Sequence, residues 1–130
     1  MNIICVDTNQ WDLTRLKQQA QRYAPGAVIH GCRSPDKALE LARDEGCDIL
    51  LTEIDLLNVQ YDGFMLAGKI KRLNPHVNII FVTARMDDIS PYRSFQLRAS
   101  GYIRKPCQPE KMAEEFSHLR YAEIVPSMVK

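Results

Sequence analysis

Neither sign of charge dominates this chain: 17 Lys and Arg stand against 16 Asp and Glu in 130 residues, for a formal net charge of +1. No block of like charge occurs, which argues against an electrostatic binder of nucleic acid or of a membrane surface. No apolar run approaches the roughly 18 to 20 residues of a membrane span. The amino terminus also lacks the basic start and cleavage site of a signal peptide. A soluble, cytoplasmic protein is the expectation. Cys5, Cys32, Cys47 and Cys107 include no CxxC pair, so the zinc pattern is missing, and free thiols acting as small core side chains are expected instead of disulfides. His30, His76 and His118 are scattered and receive no catalytic or metal role. A Gly-rich phosphate loop, an internal repeat and low-complexity sequence are all lacking.

What is present is one domain's worth of chain, with a 45% hydrophobic fraction that suffices for one core. Short apolar runs alternate with longer amphipathic stretches. Strands are expected at Ile3 to Val6, Ala27 to Cys32, Ile49 to Thr52, Val77 to Val82, and Tyr102-Ile103. Helices are expected between and after them. The first carries Leu13, Leu16, Ala20 and Tyr23 and ends at Pro25-Gly26; the second starts at Ser34-Pro35-Asp36 and stops at Gly46. Asp62-Gly63 opens the third, with Leu66, Ile70 and Leu73 on one face, before Asn74-Pro75 ends it. Ser90-Pro91 starts the fourth, with Tyr92, Phe95 and Ala99, and the last carries Met112, Phe116 and Leu119. This βα order calls for an α/β fold: a three-layer, doubly wound, flavodoxin-like (βα)5 architecture with a parallel five-stranded sheet in order 2-1-3-4-5.

In such a sheet the carboxyl ends of the strands share one edge, where ligands bind. Asp7, Glu53, Thr83 and Lys105 close strands one, three, four and five. Each alone is an ordinary cap or turn residue. Together they bring two carboxylates, a hydroxyl and an ammonium to one place.

Four segments then carry a family resemblance: Ile4-Cys5-Val6-Asp7, Cys47 through Glu53, Phe81-Val82-Thr83-Ala84, and Ala99-Ser100-Gly101-Tyr102-Ile103-Arg104-Lys105-Pro106. They resemble the receiver domain of bacterial two-component response regulators (CheY-like), over residues 2 to about 120. Residues 1–122 are read as that domain and 123–130 as a tail or the start of a linker. The resemblance implies a signalling module rather than an enzyme. Its chemistry would be phosphoryl transfer from a histidine kinase to an acid at the end of the third strand, assisted by Mg²⁺. By position Thr83 and Lys105 match the assisting residues, and Tyr102 the aromatic that reports the site's state to the α4-β5-α5 face. A homodimer through that face is expected, as is the absence of direct nucleic-acid or membrane binding by this domain. The segment Phe116 to Tyr121 is similar to the one after receivers that precede LytTR-type DNA-binding domains.

Two departures fall on the chemistry. The family's acid pair is here Asp7-Thr8, and the phosphoacceptor position holds Glu53. An extra methylene moves a carboxylate by about 1.5 Å, and misplacement by roughly 1 Å can cost about 10²-fold where catalysis is mostly positioning. A metal site at Asp7 is therefore expected to be weak or absent, with Thr8 replacing an acid, so that no cofactor is required. The stretch Asp55 to Tyr61 is also longer than usual and lacks the family's proline. The expectation is an atypical receiver, or pseudo-receiver, in which Glu53 reaches Lys105 and the Thr83 hydroxyl and stands in for a phosphorylated aspartate. The alternatives are a weakly phosphorylatable receiver controlling a LytTR-type transcriptional output, and an unrelated small α/β enzyme.

Overall fold

Successive side chains of a strand point to opposite faces, so a strand covered on both sides must be apolar at every position. The computed structural model, which describes residues 1–58 and 60–119, shows this in its central strands. The elements are β1 (Asn2–Val6), α1 (Gln10–Tyr23), β2 (Val28–Cys32), α2 (Pro35–Glu45), β3 (Ile49–Thr52), α3 (Gly63–Leu73), β4 (Asn78–Thr83), α4 (Ile89–Gln96), β5 (Gly101–Arg104) and α5 (Pro109–Ser117). All four strand pairs are parallel, in the order β2-β1-β3-β4-β5. Ile4, Val6, Leu50, Ile79 and Phe81 face α2 and α3, whereas Ile3, Cys5, Ile49, Leu51, Ile80 and Val82 face α1 and α5. The expected fold is the one observed, with strand ends moved by at most one residue. All four cysteines are free and buried.

Local chemistry explains the helix starts. The Asn9 side chain accepts from the amides of Trp11 and Asp12, Ser34 from Lys37, and Asp62 from Met65. Gly63 sits so close to β3 that a Cβ there would run into the Glu53 carbonyl oxygen and lie 2.9 Å from Ile54 Cα. Glycine therefore lets the start of α3 close over the end of β3. The Lys105–Pro106 peptide is cis.

The fourth helix departs from expectation. It begins at Ile89, so Ser90-Pro91 lies inside its first turn, and the Asp87 carboxylate, not Ser90, takes a free amide, accepting from Ser90 N at 2.6 Å. Its polarity is also inverted. Ser90 and Ser94 are buried, while Ile89, Tyr92 and Phe95 are 69%, 62% and 79% exposed. Leu73, placed on one face of α3 with Leu66 and Ile70, is half exposed, and Phe64 and Ala67 are the residues that join those two in the core. The proposed 123–130 tail lies outside the described residues.

Candidate functional site

The parallel sheet delivers the ends of β1, β3, β4 and β5 to one edge, and three of the four residues expected there form one cluster. Asp7 follows β1 directly and is 1% exposed; Glu53 follows β3 and is 5% exposed. Lys105, just past β5, reaches between them. It donates to Asp7 Oδ2 at 2.8 Å and lies 3.1 Å from Glu53 Oε1. A third carboxylate joins, because Lys105 also donates to Asp12 Oδ2 at 2.9 Å.

Nothing in the sequence singles out Asp12. It stands in the first turn of α1, where an acid is sufficiently explained by the positive helix end. Only the closeness of α1 to the end of β5 gives it a second role.

The Glu53 carboxylate is held from several directions. Oε2 accepts from its neighbouring amides, Ile54 N at 2.6 Å and Asp55 N at 3.3 Å, and Oε1 accepts from Ala84 N at 3.1 Å across the sheet edge. The side chain thus ties the end of β3 to the loop after β4. The expected contact with the Thr83 hydroxyl is not made. Thr83 is fully buried beside the site, and its Oγ1 accepts from Arg85 N at 3.1 Å.

Burial and hydrogen bonding together set the titration of Asp7 and Lys105. It pushes the Asp7 carboxyl above its ordinary range, although hydrogen bonds from Lys105 and Asn9 N oppose the rise. Burial disfavours the Lys105 charge too, but hydrogen bonds to Asp12 and Asp7 and the charge of Glu53 outweigh it and hold the ammonium above the usual lysine range. Lys105 stays protonated.

A second ion pair spans the mouth. The Arg85 guanidinium grips Asp55 with two bonds, at 3.0 and 2.7 Å, and donates to Ser90 Oγ at 3.2 Å. The loop after β3 is thereby fastened to the loop after β4 and to the start of α4. The Arg85 hydrogen bond holds the Asp55 carboxyl below its ordinary range. Neither residue was legible as a site residue, since they are 30 positions apart. Tyr102 packs against the core on the α2–α3 side. Its hydroxyl lies beside Ser90 and Arg104, shielded from solvent and without closing a hydrogen bond to either.

The arrangement can neutralise and orient charge, and a small cavity beside Lys105 is lined by Asp12, Arg15, Leu16, Val82 and Cys107. Among the described residues, no group of three or more His, Cys, Asp or Glu is arranged to hold a metal ion, and no helix is long and apolar enough to cross a membrane.

Comparison with known proteins agrees with the geometry. The family model for the response regulator receiver domain matches residues 3–117. The chain is 31% identical over 94 residues to the transcriptional regulatory protein BaeR of Escherichia coli O6:H1, covering 72% of this chain and 36% of BaeR. It is 30% identical over 94 residues to the sensory transduction protein LytR of Staphylococcus haemolyticus, covering 72% and 35%. It thus spans about a third of the length of these curated relatives. The non-phosphorylated HemR receiver domain from Leptospira biflexa superposes with a TM-score of 0.77 at 20% identity, covering 92% of this chain and 96% of that one, a likeness of fold. With the family model matched from β1 to the end of α5, the chain belongs to the response regulator receiver domain family, whose members are signalling domains and not enzymes.

Proposed function

We propose that this receiver signals through protein contacts without ordinary aspartyl phosphorylation, with Glu53 acting as a built-in stand-in for a phosphorylated aspartate. One observation carries the reading: the buried Glu53 carboxylate has both oxygens engaged, by the Ile54, Asp55 and Ala84 amides and by Lys105. A carboxylate so engaged is a poor nucleophile, because attack would require breaking charge-assisted hydrogen bonds worth about 1.5 to 3 kcal/mol each. The Ala84 contact links the acceptor position to the loop that leads into α4. That is the connection a signal from this pocket would use.

The partner we propose is a second copy, docked on the α4-β5-α5 face. Ile89, Tyr92 and Phe95 give α4 an exposed apolar stripe, and a contiguous patch of this kind suits a protein interface. On the same face Arg104 of β5 is exposed and Glu115 of α5 lies beside Gly101 of that strand, which puts opposite charges on neighbouring elements. A two-fold axis would set the basic strand of one copy against the acidic helix of the other. Since BaeR and LytR are regulatory or sensory proteins about three times the matched length, the process served is taken to be transcriptional control in the cytoplasm. The dimer would present an output domain.

The test compares Glu53→Gln with the double variant Thr8→Asp plus Glu53→Asp, reading self-association by sedimentation with and without a small phosphodonor. Glu53→Gln is expected to weaken association by roughly 10- to 150-fold. The double variant should gain a phosphodonor-dependent response. If the single variant associates like wild type and the double one shows no response, the proposal fails.

A further inference from the structure

An ammonium group has three donors and no acceptor, and Lys105 is surrounded by three carboxylates, Asp7 Oδ2 at 2.8 Å, Asp12 Oδ2 at 2.9 Å and Glu53 Oε1 at 3.1 Å. Its donors are fully used. The remaining oxygens are engaged as well: Asp7 Oδ1 accepts from Asn9 N at 2.9 Å, Glu53 Oε2 from Ile54 N and Asp55 N, and Asp12 Oδ1 faces the Arg15 guanidinium at 3.6 Å. The position next to Asp7 that would carry the family's second acid is the neutral Thr8. Its carbonyl oxygen already takes two bonds from Arg33, at 3.2 and 2.9 Å.

Mg²⁺ requires near-octahedral oxygen ligands at about 2.0 to 2.1 Å and gives up its water reluctantly. Here the oxygens converge on an ammonium nitrogen, and a guanidinium sits on the adjacent carbonyl. The residues present do not fit the divalent cation that family membership implies. We infer that Lys105 is itself the resident cation of this pocket, in place of a metal ion, and that Asp12 is the positioning residue that holds it there. The three acids need an offsetting positive charge, and the chain supplies it covalently. Thr8 and Asp12 make a matched exchange: the acid missing beside Asp7 is replaced by one from the first turn of α1, placed to grip a lysine. This concerns the charge content of the pocket, and it holds whether or not Glu53 sets a signalling state.

The test is NMR on the intact chain, with Mn²⁺ as a paramagnetic probe and Mg²⁺ as its diamagnetic counterpart. In wild type the Lys105 ammonium signal is expected to be observable, slowed in exchange and unmoved by Mg²⁺. The amides of Asp7, Asp12 and Glu53 should stay unbroadened by Mn²⁺ up to about 1 mM, the range of weak cation sites. Saturable broadening centred on those amides below that concentration overturns the inference. Asp12→Asn should speed exchange of the Lys105 ammonium protons several-fold, and unchanged exchange removes the role given to Asp12. A folded Lys105→Met should acquire Mn²⁺ broadening at Asp7 and Glu53, and a folded variant without it contradicts the resident-cation reading. Should Lys105→Met not fold, the wild-type and Asp12→Asn measurements decide. Self-association is not read in any arm, so failure here is distinguishable from failure of the signalling proposal.

Discussion

Replacing Lys105 by methionine keeps an unbranched stem out to Cε and removes the terminal amine with its charge, which isolates the ammonium's contribution to stability. Lys105 is 17% exposed and its partners Asp7 and Glu53 only 2% and 6% exposed at the side chain. Solvent therefore offsets little of the loss. Removing one partner of such a buried pair costs about 3 to 5 kcal/mol, because the carboxylates left behind are uncompensated. For a domain of this size that corresponds to a fall in Tm of roughly 10 to 20 °C. The loss should also depend on pH. The Asp7 carboxyl is already raised by burial and is drawn back down by Lys105, so in the variant it rises further. A carboxyl whose folded-state pKa lies above its unfolded value favours the fold when protonated, and that contribution is lost as pH rises through the folded value. Urea titrations of both proteins should accordingly show the largest gap near neutral pH and a narrower one on acidification. A gap below about 1 kcal/mol, the size of an exposed ion pair, or one that is flat in pH, would refute the view of Lys105 as the electrostatic keystone of the sheet edge.

Other outcomes are expected from the same structure. The double change Tyr92→Ser plus Phe95→Ser should abolish self-association in sedimentation while leaving Tm nearly unchanged, because both rings are exposed; a large fall in Tm would show them to be core residues. Arg85→Ala should cost less than about 1 kcal/mol, since Asp55 is more than half exposed and its pair with Arg85 is screened, yet it should speed amide exchange in the loop after β4. Because Arg85 lowers the Asp55 carboxyl, the stability it adds is present above the ordinary value of 3.8 and is lost as pH falls through the lowered one. Urea titrations from pH 7 to 2 should show the two proteins converging in acid. The four thiols should be inert to Ellman's reagent in the native state and reactive once unfolded, because all are buried and burial pushes each pKa up, that of Cys47 to about 12.

Much of this molecule is written locally, and the reason is periodicity. Ile49 to Thr52 reads as a strand buried on both faces because no position in it is charged, and Met112, Phe116 and Leu119 read as an inner helical face because their spacing permits one; all are buried. The resemblance around Tyr102 to Pro106 places Lys105 at the sheet edge without any coordinate. Parallel topology does the rest, since it collects strand ends that are distant in sequence. Asp7, Glu53 and Lys105 are legible for that reason.

What the chain could not declare locally is which neighbours those ends would meet. Asp12 looks like a helix-start acid until the fold sets the first turn of α1 beside Lys105, and Asp55 and Arg85 look like loop charges until two loops are folded over one mouth. The Thr83 hydroxyl was expected to meet Glu53, but the backbone turn after β4 puts the Arg85 amide nearer. At α4, Tyr92 and Phe95 have the composition of core residues, and helical periodicity alone does not say which side of a helix faces the sheet. Packing settled that Ser90 and Ser94 go inward, where Ser90 is bonded by Arg85 and Asp87, leaving the apolar stripe in solvent. The sequence by itself determined the order of elements and the chemical character of the sheet edge, because period and strand-end position are properties of short segments. Tertiary structure alone decided the third carboxylate on Lys105, the clasp over the pocket and the outward face of α4, because each depends on distances between segments far apart along the chain.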